Sequence, residues 1–428
     1  MDKPDLDPKA QTAVYKPLTP DELGERLSVV PAIAERVGTD PASWTVREVG
    51  DGNLNLVFIV EGPKGTVIVK QALPYVRLVG DSWPLPLYRA FYENNALVRQ
   101  AERDPGSVPE VYYFDEAQAL IVMEYLSPHK ILRRKLIDGE KVDGLGPFLG
   151  RFCARTAFRG SELSMKSADK KSDVALFAGN VEIPAITEAL VFTDPYYAAE
   201  MNHHSEGLEE VVKDLRANRE LKARAQRMLM KFASNTETMV HGDLHSGSIM
   251  STDNDSRVID PEFVQYGPLG FDIGMLVANF LMAYLSQPAH REEADLDIYQ
   301  EWILSVIDET LSTFEAEFTH LWTHERTGML YPAALFEDQG QSSADICAGV
   351  LADIRKDALA ICGIEMHRRT LSLAHNADFE EISDEALKCR LEVRNLAMGT
   401  ELVLRAETIG STQMLLNLAR QFNAKDIL

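Results

Sequence analysis

The sequence predicts an α+β protein in two lobes, a small antiparallel β lobe followed by a larger, mainly helical one. Three observations carry that expectation. β-rich runs cluster before Ser127-Pro128, helical periodicity dominates after it, and 428 residues of 45% hydrophobic composition are enough for two or three folding units. Runs of strands followed by runs of helices segregate into an α+β architecture. The predicted boundary gives an N-terminal lobe over residues 1–126 and a C-terminal lobe over 127–428.

Residues 20–45 read as a short helix and a loop. The period then changes: TVREVGDGNLNLVFIVEG and TVIVKQA are β-rich runs separated by GPKG, a hairpin by turn chemistry. LYRAFYENNALVRQ (87–100) places Leu87, Phe91, Asn94, Leu97 and Val98 at helical spacing. Two further β-rich runs flank a DEAQ turn within 108–126. Beyond residue 128 only 238–241 and 256–260 look β-like. GMLVANFLMAYL (274–285) is too short to span a bilayer and contains Asn279, so a buried helix is expected. A long helical run over roughly 350–376 carries Arg368 and Arg369.

Acidic residues outnumber basic ones, 66 to 43, for a formal charge of −23. Such a field repels polyanions, so no nucleic-acid partner is expected, and a phosphate ligand would need local cations or a metal. Cys153, Cys347, Cys362 and Cys389 form no C-x-x-C pair and read as reduced, mostly buried thiols of a cytoplasmic protein. MDKPDLDPKAQ lacks the apolar stretch of a signal peptide, and no membrane role is expected. His320 and His324 have the i,i+4 spacing of a zinc pair, but no third ligand of sensible spacing accompanies them.

Two constellations carry chemistry. In the first, GDGNLN (50–55) has the residue types, Gly52 and Asn53 among them, that let backbone amides approach a phosphate; alone it is as easily a plain turn. Lys70 in VIVK is either a snorkelling edge residue or a phosphate ligand. Glu93, at the margin of the buried stripe of its helix, could pair with it or face solvent. In the second, HGDLHSGSIM (241–250) sets Asp243 in a loop between β-like pieces, where it can accept the proton of an attacking hydroxyl. Asp260 and Glu262 in IDPEF flank a proline expected to hold the backbone extended, aiming both carboxylates to one side. Two such carboxylates suit Mg²⁺.

The glycine-rich loop, strand lysine, helix glutamate, H-G-D loop and later Asp, in that order, resemble the protein-kinase-like fold in its small-molecule branch. HGDLHSGSIM, DPEFVQYGPLGFDIG, KQALPYVRLVGDSWP and MHRRTLSLAH are similar to the 5-methylthioribose kinases of methionine salvage. That resemblance implies ATP and Mg²⁺, a methylthioribose acceptor phosphorylated at its 1-hydroxyl, and a homodimer. It implies that Arg368 and Arg369, which composition alone would make surface charge, hold the sugar and transferred phosphate. It implies that Glu124 and Tyr125 of MEYL offer backbone hydrogen bonds to adenine, and that Trp83 rides a loop closing on nucleotide; a hydrophobic anchor is the equal alternative for Trp83. Where protein kinases have Asn, five residues after the catalytic Asp, this chain has Ser248, and Glu262 stands where they have Gly. One oxygen ligand is exchanged for another. Asp272 is expected to cap its helix and prop the catalytic loop, His241 to support it, and His245 to be either structural or close to substrate. The rival readings are a choline, homoserine or aminoglycoside kinase with the same machinery, and a non-catalytic nucleotide-binding regulator.

Overall fold

The computed structural model describes residues 15–50, 54–76 and 80–424, with side chains for all of these except 76 and 80–83. The chain divides into two compact units. The first comprises residues up to Pro128 together with Asn180–Ile183 and Arg257–Val264; the second holds the rest. Asp260 and Glu262 therefore belong with the β-rich first unit, although the predicted boundary at residue 126 assigns them to the helical one.

The first unit is built on a five-stranded antiparallel sheet. Its strands are β1 (Thr45–Glu48), β2 (Asn55–Gly62), β3 (Gly65–Ala72), β4 (Val111–Asp115) and β5 (Leu120–Glu124), in spatial order β1-β2-β3-β5-β4. Both expected hairpins form, and Gly62 opposite Gly65 closes the first around Pro63-Lys64. The alternation of β2 and β3 buries Phe58, Val60, Val67 and Val69 on one face. Against that face pack two short helices, Pro20–Ser28 and Pro31–Val37, through Leu23, Leu27, Ile33 and Val37. The sequence predicts one helix there; a proline at N1 of each starts two. Helix α1 (Arg89–Arg103) follows and brings Glu93 near β3.

The second unit is helical, with α2 (Leu145–Arg159), α3 (Phe271–Ser286), α4 (Glu293–His324), α5 (Ala344–Leu371) and α6 (Glu385–Arg405) as its principal elements. α2 packs along α4, and α5 packs against both α3 and α6. Every residue of α3 except Asp272 is buried, as its apolar run predicts. No single helix among the described residues is long and apolar enough to cross a membrane. All four cysteines are free, and three are buried. His320 and His324 stack with ring centroids 4.3 Å apart.

The α5–α6 crossing depends on Gly363 and Gly399. A methyl group on Gly363 would overlap the Gly399 carbonyl oxygen, and one on Gly399 would lie 2.9 Å from the Gly363 carbonyl oxygen. His367 sits one turn along the same contact, fully buried. The Tyr196 hydroxyl donates to its Nδ1 over 3.1 Å, so the ring proton resides on Nε2, which donates to the Leu396 carbonyl over 3.1 Å. Burial pushes this imidazole down to about 4, leaving it neutral.

Two outcomes are expected. Gly363→Ala forces the helices apart and costs about 1–3 kcal/mol, read as a fall in the thermal midpoint. For His367, the folded state resists protonation that the unfolded chain accepts below its ordinary value of 6.5. Its contribution is thus complete above pH 6.5 and is lost as pH falls toward 4. Urea unfolding at pH 7 and pH 5 should show His367→Gln losing roughly 2 kcal/mol less stability between those pH values than the native protein.

Candidate active site

In the first unit, Lys70 lies within β3, opposite Val57 and Ile121, and is buried. Its Nζ donates to Glu93 Oε1 over 2.7 Å and also contacts Asp260 Oδ1. Carboxylate oxygens of Glu93, Asp260 and Glu262 all lie within 4.8 Å of one another. The segment 260–263 is not extended, however. Asp260 adopts a left-handed backbone, φ +68°, and a turn follows at Glu262 and Phe263. The two carboxylates converge through that turn, not through strand alternation. Aspartate tolerates the left-handed region better than most residues.

Burial works against the Lys70 ammonium, but Asp260, Glu93 and Glu262 hold it well above its ordinary range. The same burial pushes the Glu93 and Glu262 carboxyls up, with Lys70 opposing the shift in both. Glu262 is further met by Arg89, whose Nε lies 3.2 Å from Oε2. Lys70 and Arg89 thus face three carboxyl groups, an all-oxygen donor set. Such a set fits a hard divalent cation such as Mg²⁺.

Gly52 and Asn53 lie outside the described residues, as does the side chain of Trp83; the backbone there forms a short strand, Gly80–Pro84, antiparallel to Tyr75–Val76. Glu124 ends β5. Its N–H donates to the Glu110 carbonyl, its carboxylate accepts from the Glu110 N–H over 3.2 Å, and half-buried Tyr125 follows.

In the second unit, the loop 241–248 is fixed at both ends. Asp272 accepts from the His241 N–H over 2.7 Å and the Gly242 N–H over 3.1 Å, so it props the loop. It does not cap its own helix, whose N-cap position is Gly270. His241 supports the loop through Nδ1, which accepts from the Asp243 N–H over 3.3 Å. At the far end Ser248 Oγ donates to the Asp243 carbonyl over 3.0 Å.

The Asp243 carboxylate is held on both oxygens, by Arg369 Nη2 at 3.1 Å from Oδ1 and His245 Nε2 at 3.2 Å from Oδ2. His245 Nδ1 accepts from the Gly247 N–H over 2.9 Å, and Arg133 Nη2 lies 3.3 Å from the same nitrogen. The ring proton must then sit on Nε2, pointing at Asp243. Burial, against Asp243 and reinforced by Arg133 and Arg369, pushes His245 down to about 4. Burial works against the Asp243 carboxylate, but His245, Arg369 and Arg368 together hold its carboxyl well below its usual range.

Arg368 and Arg369 are buried, contrary to what composition alone suggests. They also share a partner, although successive helical residues diverge by about 100°. Glu365 lies three and four residues before them on α5, and its Oε1 is 3.4 Å from Arg368 Nη1 and 2.5 Å from Arg369 Nε. Sequence reasoning missed Arg133 altogether. This side chain bridges Ser246 Oγ at 3.1 Å and Asn279 Oδ1 at 3.0 Å, and lies 3.6 Å from buried Asp378. The available signal was its place three and four residues before Leu136 and Ile137, on the apolar face of helix Leu132–Asp138.

Residues 45–302 match the model of the "Phosphotransferase enzyme family". A methylthioribose kinase of Escherichia coli is 43% identical over 396 residues, 92% of this chain and 94% of that protein. A methylthioribose kinase of Geobacillus is 39% identical over 97% of this chain and 98% of its own length, and methylthioribose kinase 1 of Oryza sativa is 38% identical over 89% and 90%. A solved glucosamine kinase bound to glucosamine, ADP and inorganic phosphate aligns with 89% of this chain and 86% of its own at TM-score 0.48 and 16% identity. This chain belongs to the phosphotransferase enzyme family and, within it, to the methylthioribose kinases.

Proposed function

We propose that the protein transfers the γ-phosphoryl group of ATP to the 1-hydroxyl of S-methyl-5-thioribose, giving the 1-phosphate and ADP, as a Mg²⁺-dependent cytoplasmic enzyme of methionine salvage. The observation that carries this reading is the 43% identity to a methylthioribose kinase over 92% of the chain. The two charge clusters support it, since each contains what one half of a phosphoryl transfer requires. A homodimer is part of the same proposal and rests on family membership.

In this reading the first unit is the nucleotide-binding lobe and the second the acceptor lobe. Lys70, oriented by Glu93, grips ATP phosphates, and the backbone at Glu124 and Tyr125 meets adenine. Gly52 and Asn53 cover the phosphates, and the Trp83 loop closes over the nucleotide. Asp260 and Glu262 would hold Mg²⁺, which supplies neutralisation of charge on the phosphate oxygens. On the acceptor side, Arg368 and Arg369 hold the sugar and the phosphoryl group in flight.

Asp243 receives the proton of the attacking hydroxyl as its oxygen bonds to the γ-phosphorus and the bond to the ADP oxygen breaks. Its carboxyl is held well below the ordinary range, so it is always ionised near neutrality and is a weak base. That suits a loose phosphoryl-transfer transition state, in which the nucleophile needs orientation and only late deprotonation. His245 and Arg369 fix the carboxylate for that task.

Asp243→Asn should leave ATP binding intact and lower kcat by about 10²–10⁴-fold. Near-native turnover by this variant in a coupled ADP assay would remove Asp243 from the chemistry. The substrate is tested by ADP release with methylthioribose, ribose, choline and homoserine supplied separately, with and without Mg²⁺. Turnover selective for methylthioribose and abolished by chelation is expected. A preference for choline or homoserine would keep the phosphotransferase and overturn the acceptor.

A further inference from the structure

The Arg89 guanidinium has no exposed surface. Taking such an ion out of water is costly, and the cost is offset only where its donors are met. All five are. Nε donates to Glu262 Oε2 over 3.2 Å. Nη1 donates to the Leu73 carbonyl over 2.8 Å and to the Pro86 carbonyl over 3.0 Å. Nη2 donates to the Leu54 carbonyl and, over 3.2 Å, to Asn55 Oδ1. A guanidinium has five N–H groups, so none is left over.

The five acceptors come from four places. Asn55 opens β2 and Leu54 precedes it. Leu73 and Pro86 bracket residues 74–85, whose ends are tied by the Leu85 N–H donating to the Pro74 carbonyl over 3.0 Å. The Leu73 N–H donates to the Leu54 carbonyl over 3.2 Å, so two of the three backbone acceptors are also joined to each other. Glu262 comes from a segment 173 residues further along the chain. Asn55 reinforces the bond, its Nδ2 lying 3.5 Å from the same Oε2.

We propose that Arg89 is a positioning residue for the metal carboxylate. By engaging Oε2 it leaves Oε1 as the oxygen Glu262 presents to a cation, and it locks that oxygen to the backbone of Leu54, Leu73 and Pro86. Bound Mg²⁺ is thereby registered against the segments that surround the nucleotide. This rests on the reading of Glu262 as an oxygen ligand. Charge alone would work in the opposite sense, because a cation beside Glu262 weakens its hold on a second cation. The role is geometric, and the fork of donors is what performs it.

Two variants separate geometry from charge. Arg89→Lys keeps the charge but has three donors on a tetrahedral head; Arg89→Met removes the charge and keeps bulk. ADP affinity is measured by calorimetry with and without Mg²⁺, no acceptor sugar present, so the result is independent of the acceptor assigned above. The Mg²⁺-dependent gain in ADP affinity should fall about tenfold in Arg89→Lys, with affinity for metal-free ADP changing less. Amide hydrogen exchange at Leu73 and Leu85 should accelerate in the same variant, before any nucleotide is added. A native-like Mg²⁺ gain in Arg89→Lys overturns the proposal, whether or not thermal stability has fallen, because a purely structural arginine predicts that pattern. Should Arg89→Met fail to fold, Asn55→Ala provides the second measurement: it removes one support from each of Arg89 and Glu262 and should show a smaller loss of the Mg²⁺ gain in the same direction. No loss there also counts against the proposal. A native protein whose ADP binding ignores Mg²⁺ would overturn both this proposal and the role of Glu262 beneath it.

Discussion

A carboxylate withdrawn from water stays ionised when cations and hydrogen-bond donors meet it, and Asp243 is met by His245, Arg369 and Arg368. Much of the second unit serves these contacts. Glu365 anchors Arg369 from within its own helix and holds Arg368 beside it, so both guanidinium groups are placed before any ligand arrives. On the other side, Arg133 and the Gly247 N–H fix the imidazole tautomer that lets His245 donate to the same carboxylate. Without Arg369 only His245 and Arg368 would oppose burial at this carboxyl.

Placing Arg369 is a packing problem before it is an electrostatic one. The arginine pair rides near the C-terminal end of α5, and the height of that helix depends on the close approach at Gly363 and Gly399. Asp243 is set by a separate support, the Asp272 carboxylate at the start of α3, which receives the loop amides. α3 is buried along nearly its whole length and packs against α5, so the element that props the loop touches the element that delivers the arginines. Rigid, dry helix packing is what converts a chain of side-chain contacts into fixed distances.

The bulk charge of −23 gives no hint of either cluster. Lys70 and Arg89 are gathered against three carboxylates in the first unit. Arg133, Arg368 and Arg369 are gathered against Asp243, Glu365 and Asp378 in the second. In an acidic protein the cations that could meet phosphate are local and buried, and each is already paired. Local pairing and not net charge decides what such a protein can hold.

Much of this architecture was legible in the residues. Alternation and turn chemistry specify the hairpins, 3.6-residue periodicity and apolar length specify α1 and α3, and the polar H-G-D and D-P-E blocks mark where buried charge gathers, because these signals are local in sequence. Other features were not legible, for a common reason. Nothing local in sequence singles out Arg89 or Arg133, since their significance lies in acceptors from distant segments. The proline after Asp260 predicts an extended backbone, and only the packed turn sets it left-handed. Composition alone would leave Arg368 and Arg369 on the surface, whereas the packing of α5 buries both. Sequence by itself determined the fold class, its main elements and which polar blocks carry the clustered charge. Tertiary structure decided which charges meet, because pairing in a dry interior depends on distances between segments that no local pattern encodes.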